Sequence, residues 1–175
     1  MTTLKDLILA EHSKAQAILI ADIVRQKPEL LDELIAYTFA NKEPLSRRAG
    51  WPLRILHEQN PELFTIHIDQ IIASLKIIEN QSVLRNILAL LAKAKIPEKD
   101  KSFLLDFTSL TLLDPKSSIA VIAHAADLFV NIADNEHFFI QELLLMLKQL
   151  EISNSGGIIA KIHQVQLIAN RIGKS

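Results

Sequence analysis

Residues 58–68 read EQNPELFTIHI, and residues 25–35 read RQKPELLDELI. In each, a polar run that can close a helix meets a proline, then an acid, then an apolar stripe. Proline suits a helix's first turn, where its missing N–H has no intrahelical acceptor to lose. The acid that follows is favoured by the positive end of the helix dipole. Two further stretches carry the same punctuation: AKIPEKDKSFL at 94–104 and ADNEHFFIQEL at 133–143, where Glu136 is the acid but no proline precedes it. Pro28, Pro61 and Pro97 are 33 and 36 residues apart, and the position before Glu136 lies 38 beyond Pro97. A period of 33–38 residues holding two helices marks a chain of stacked helical repeats.

Working outward, apolar positions fall at helical spacing nearly everywhere. Leu30, Leu31, Leu34, Ile35 and Thr38 form one stripe, and Phe64, Ile68, Ile71, Ile72 and Leu75 form another. Phe139, Leu143, Leu147 and Leu150 form a third. No segment alternates polar and apolar residues as a half-buried strand would. The pattern predicts helices at 3–12, 14–26, 28–40, 46–59, 61–76, 81–95, 97–113, 117–133, 136–150 and 156–171. A single helical-repeat domain over residues 1–175 is expected.

Composition narrows the function classes. The chain of 175 residues is 49% hydrophobic but only 5% aromatic, so its core is aliphatic. A formal net charge of −1 and a pI near 6.6 supply no global attraction to nucleic acid or anionic membrane. With no cysteine, disulfides, thiolate metal sites and a cysteine nucleophile are excluded. The longest uncharged run, Ser117 to Ala126, is far short of the roughly 18 residues of a membrane span. The N-terminal stretch carries Asp6 and Glu11 and too short an apolar run for a secretory signal. A soluble, cytoplasmic protein is the expectation.

The pattern of paired helices, proline-acid punctuation and a 33–38-residue period resembles HEAT or armadillo-type repeats over nearly the whole chain. The resemblance implies an all-α fold, a right-handed α-α superhelix of about four to five helix pairs. It also gives Pro52 a reading, because the first helix of a HEAT-type unit commonly carries a proline kink, and Gly50-Trp51-Pro52 would supply one. Proline inside a helix costs roughly 3 kcal/mol unless the helix bends. The alternative is that the helix begins at Trp51, with Ser46 to Gly50 as loop. HEAT units also place an acid in the internal turn; here that turn holds Asn60 and Asp134, while no basic residue recurs at one position of the second helices.

Charge is unevenly spread between the two helices of each unit. The first helices with segment 153–175 hold 13 basic and 4 acidic residues, whereas the second helices hold 3 basic and 11 acidic. Part of this follows from the helix dipole, with Lys27, Lys93 and Lys95 closing first helices and Glu29, Glu62, Glu98 and Glu136 opening second ones. Arg47, Arg48, Arg54, Arg85 and Lys161 against Asp32, Asp69, Asp106 and Glu142 fall outside that explanation.

Arg47 and Arg48 stand out among the cations. They follow Ser46 at an expected helix N-terminus, where a cation opposes the dipole and an anion is welcome. Two guanidiniums with backbone N–H groups can hold a phosphate or carboxylate. Alternatively one pairs with Glu43 or an acid of the neighbouring unit, and the other is solvated. Arg48 is read as part of the fold and Arg47 as part of a binding edge. Trp51 is either inter-helix core or a ligand platform.

Catalytic patterns are weak. His124 and Asp127 lie three apart in the apolar run IAVIAHAADLFV and read as a structural pair rather than metal ligands, there being no compatible third ligand. His67 and Asp69 point some 200° apart on a helix and form no dyad. Gly156-Gly157 reads as the entry to the last helix, and no nucleophile elbow, P-loop or dinucleotide fingerprint is present. No catalytic residue, cofactor or metal is therefore expected. The resemblance implies a non-enzymatic scaffold that binds a protein partner on the side built by the second helices, with Asp32, His67, Asp69, Gln70, Asp106 and Glu142 near it and Arg47 and Arg48 at its edge. The alternative is a nucleic-acid-associated protein related to HEAT-like DNA glycosylases, which would be expected to show a strongly basic groove; an enzyme built on helical repeats is a third class.

Overall fold

The computed structural model describes residues 2–150 and 155–173; the expected site residues all lie within these, while Ser153, Asn154, Lys174 and Ser175 of the basic C-terminal segment lie outside them. All regular structure among the described residues is helical. The α-helices are α1 (Leu4–Ala10), α2 (Lys14–Gln26), α3 (Leu31–Thr38), α4 (Leu45–Gln59), α5 (Ile68–Ser74), α6 (Gln81–Leu91), α7 (Glu98–Leu113), α8 (Ile119–Ala133), α9 (His137–Leu150) and α10 (Gly156–Ile172). The chain divides into two compact units, Met1–Leu90 and Leu91–Ser175.

Local chemistry sets the helix starts. Thr3 and Asp6 form a reciprocal capping box on α1. The Ser13 hydroxyl accepts the Gln16 N–H on α2, and the Ser118 hydroxyl accepts the Val121 N–H on α8. The prolines act differently from expectation. Pro28 and Pro61 open short 3-10 turns, Pro28–Leu30 and Pro61–Phe64, and the α-helices begin only at Leu31 and Ile68. The cause is the residue before each proline, which is barred from the helical region. Lys27 and Asn60 sit at φ −132° and −140°, and their carbonyls accept i+3 bonds from Leu30 and Leu63. Pro97 is the N-cap of α7 rather than its first residue, in extended conformation.

Other boundaries are corrected as well. Helix α1 covers less than the expected 3–12, and α6 stops at Leu91, so Lys93 and Lys95 lie beyond its last turn. Helix α4 begins at Leu45 and runs unbroken through Pro52 to Gln59, which overturns the alternative of a start at Trp51. Pro52 leaves the Arg48 carbonyl without its helical N–H, and the burial of Ala49, Leu53, Ile55 and Leu56 around it offsets that loss. Ser46 does not cap the helix: it is buried, and its hydroxyl accepts the Lys42 N–H.

In the first unit α4 packs against α1, α2 and α3, closing Ile8, Ile20, Leu34, Leu53, Leu56 and Phe64 into the interior. In the second, α7 packs on α8 and α9, and α10 on α8 and α9, around Leu104, Phe129, Ile140, Leu143 and Leu147. Polar ties inside each unit have a characteristic reach. Arg48 to the Leu9 carbonyl spans 39 residues, Asn41 to the Ile77 carbonyl 36, Asn80 to Glu43 37, Asn131 to the Ala94 carbonyl 37 and Lys161 to Asp127 34. Each spans about one repeat, as expected where successive repeats touch mainly their neighbours. Asn41 and Asp134 serve turns in left-handed conformation, both at φ 49°, which these short polar residues tolerate.

Candidate functional site

The first unit holds a small cationic cleft of about 90 Å³ lined by His12, Arg47, Trp51, Ser82, Arg85 and Asn86. Arg47 and Trp51 sit one turn apart on α4, and Ser82, Arg85 and Asn86 occupy one face of α6, as i, i+3 and i+4. His12, in the α1–α2 connection, meets the Trp51 ring edge-on at 5.8 Å. Arg47 Nε lies 3.2 Å from Glu43 Oε2, and the other Glu43 oxygen accepts from Asn80 Nδ2 at 2.6 Å. The same Asn80 caps α6 through Oδ1, which accepts the N–H groups of Ser82 and Val83. Arg85 is exposed and has no hydrogen-bond or ion-pair partner among the described residues. Asn86 is 2% exposed; its Nδ2 donates to the Ser82 carbonyl, and its Oδ1 has no partner.

Arg48 belongs elsewhere. Its Nη1 donates to the Leu9 carbonyl at 2.7 Å, so its partner is a backbone carbonyl of the neighbouring repeat rather than an acid. Asp32 and His67 are brought together instead, with Asp32 Oδ1 of α3 3.4 Å from Nδ1 of His67, the residue before α5. Asp69 and Gln70 lie exposed on α5.

The second unit carries an acidic groove of about 620 Å³. Asp106 of α7 and Glu142 of α9 line it with Glu98, Asp134 and Glu136, over a floor that includes Leu105, Phe129, Ile132 and Phe139. Its one lining cation, Lys101, is held by Glu98 at 2.8 Å and Asp134 at 3.6 Å. The hydrogen bond to Glu98 keeps the Lys101 ammonium above its ordinary pKa, with Asp134 adding to it against partial burial. Asp134 thus plays the internal-turn acid, and its cation comes from the previous second helix, 33 residues earlier.

Asp127 of the HAAD stretch is spanned by His124 Nδ1 at 3.6 Å and Lys161 Nζ at 2.6 Å. Burial pushes the Asp127 carboxyl up, but the bonds from His124 and Lys161 outweigh it and hold the group below the ordinary aspartate range. The triad ties α8 to α10 and is a structural ion cluster. Among the described residues no group of three His, Cys, Asp or Glu side chains is arranged to hold a metal. No helix there is long and apolar enough to cross a membrane.

His12, Ser82 and Asn86 carry no mark in the sequence. Arg85 does, because it lies 38 residues after Arg47, one repeat on. The acids obey the same rule: Asp32, Asp69, Asp106 and Glu142 are 37, 37 and 36 apart. In comparisons with known proteins, no curated protein and no solved structure matches the chain. The HEAT repeat domain profile matches residues 4–166. With paired helices, one-repeat hydrogen bonds and a match over most of its length, the chain belongs to the HEAT repeat domain family.

Proposed function

We propose that this protein is a non-enzymatic interaction module whose second unit docks a cationic, amphipathic segment of a partner protein. The observation that carries it is the α7–α9 groove, where five carboxylates flank a floor of leucine, isoleucine and phenylalanine, and the single lining cation is already neutralised. An apolar floor rewards burial of leucine-type side chains at about 25 cal/mol per Å². The acidic rim selects lysine and arginine beside them and speeds encounter with a basic partner. The same rim repels a phosphate backbone, which argues against nucleic acid in this groove. HEAT repeats serve protein interaction in general, and this reading adds the chemistry of the partner.

The test uses a helical peptide of leucine and lysine patterned to one apolar face, titrated calorimetrically into the full chain. Binding should weaken with salt and be lost in Asp106→Lys with Glu142→Lys, two exposed positions whose reversal leaves the melting temperature nearly unchanged. Equal binding by parent and double variant sinks the proposal, and so does no binding by the parent at low salt.

A further inference from the structure

We infer that the cleft formed by His12, α4 and α6 is a binding site for a phosphate monoester or free phosphate, separate from the acidic groove and independent of what that groove binds. The first support is convergence of charge. Arg47 and Arg85 stand one repeat apart and line the same 90 Å³ space, joined by the His12 imidazole. Only Glu43 answers them, and it divides its two oxygens between Arg47 and Asn80. Arg47 uses Nε alone for that pair, which leaves its terminal nitrogens as donors, and Arg85 keeps its whole planar fork. Guanidiniums of this kind match the oxygens of a phosphate two at a time.

The second support comes from Asn86. It is 2% exposed, it lines the cleft, and its Oδ1 accepts from nothing. An acceptor buried without a donor is costly, and a ligand bearing a hydrogen restores the balance. A phosphate group meets both demands. Its charged oxygens take the guanidinium and Ser82 hydroxyl donors, and near its second pKa of about 6 it still carries a P–OH hydrogen for Asn86. Sulfate has the shape without the hydrogen, and acetate has neither the tetrahedral shape nor the hydrogen. The space, about 90 Å³, is on the scale of one tetrahedral oxyanion.

Trp51 lines the cleft and is the only tryptophan in the chain, so its emission reports this site directly. The full chain is titrated at pH 6.5 and fixed ionic strength with inorganic phosphate, phosphoserine amide, sulfate and acetate, following Trp51 emission and the amide shifts of Ser82, Arg85 and Asn86. A saturable response to both phosphates is expected, at least about tenfold tighter than to sulfate or acetate. Arg85→Gln should weaken it at least about tenfold with no change in melting temperature, because one charge-assisted contact is worth that factor. Arg47→Gln should weaken it in the same direction. Tighter binding of phosphoserine amide supports the site and assigns its ligand to a modified side chain; tighter binding of inorganic phosphate supports it and assigns free phosphate. Equal responses to all four anions, no response in either signal, or affinity unchanged in Arg85→Gln overturns the inference.

Discussion

Two cations from each unit have different fates. In the second, Lys161 sits 2.6 Å from Asp127 with its side chain 12% exposed, and Lys101 is shared between Glu98 and Asp134. In the first, Arg85 stands exposed without a partner among the described residues, and Arg47 holds Glu43 through one nitrogen. Repeats built on one plan thus spend positive charge in two ways. Where a neighbouring repeat presents an acceptor, as Asp127 does to Lys161 and the Leu9 carbonyl to Arg48, the cation becomes part of the fold; where it does not, the cation remains available to a ligand. Stability measurements separate these cases.

The cores themselves should not differ. Phe64 and Phe129 are 0% and 1% exposed, and truncation of either to alanine should cost about 3–5 kcal/mol. Denaturant unfolding checks this, with Trp51 emission reporting the first unit and circular dichroism the helices of both. A cost below about 1 kcal/mol for one of them would mean that the two interiors are not equally packed.

Next comes the neutralised cation. Lys161→Met leaves Asp127 half-buried with only His124, and should destabilise by about 1–3 kcal/mol at pH 7. Asp127→Asn should cost less in that background than in the parent, the non-additivity expected of a direct pair. Protonation tests the same contact. The Asp127 carboxyl is lowered in the fold, so its contribution is present above the ordinary aspartate range, near pH 4, and disappears as pH falls through the lower folded value. Asp127→Asn should therefore flatten the acid limb of melting temperature against pH. An acid limb unchanged by the substitution would show that Asp127 is not a linked group.

The adjacent arginines offer the sharpest contrast within one helix turn. Arg48→Ala removes the bond to the Leu9 carbonyl and should cost about 1 kcal/mol. Gly50→Ala, two residues on, should stabilise by about 0.5–1 kcal/mol, because a mid-helix glycine gives up chain entropy that alanine does not. A Cβ there meets Asn86 Nδ2 at 3.6 Å and Thr38 Cγ2 at 3.7 Å, ordinary contact distances. A lower melting temperature in Gly50→Ala would show that the α4–α6 approach is tighter than those distances. Arg47→Ala should cost less than about 0.5 kcal/mol, its pair with Glu43 being exposed on both sides, at 40% and 51%. A larger loss for Arg47 than for Arg48 would reverse the assignment of which arginine serves the fold.

Much of this molecule is written in its sequence. The proline-acid punctuation and the 3.6-residue stripes set the helices and the 33–38-residue period, because local backbone geometry and one apolar face per helix suffice for that. The period also places Arg85 one repeat after Arg47 and spaces Asp32, Asp69, Asp106 and Glu142 evenly. The 3-10 turns at Pro28 and Pro61 departed from the pattern for a local reason, the restriction proline imposes on the residue before it. What the helices do with their polar side chains was decided only by stacking. Nothing near Arg48 signals that the Leu9 carbonyl will meet it, and nothing near Asn80 signals that it will cap α6 while holding Glu43. His12 and Asn86 enter the cleft only because α1, α4 and α6 bring their ends together. A hydrogen bond requires its partners within about 3 Å, and across one repeat that distance is fixed by tertiary packing, not by spacing along the chain.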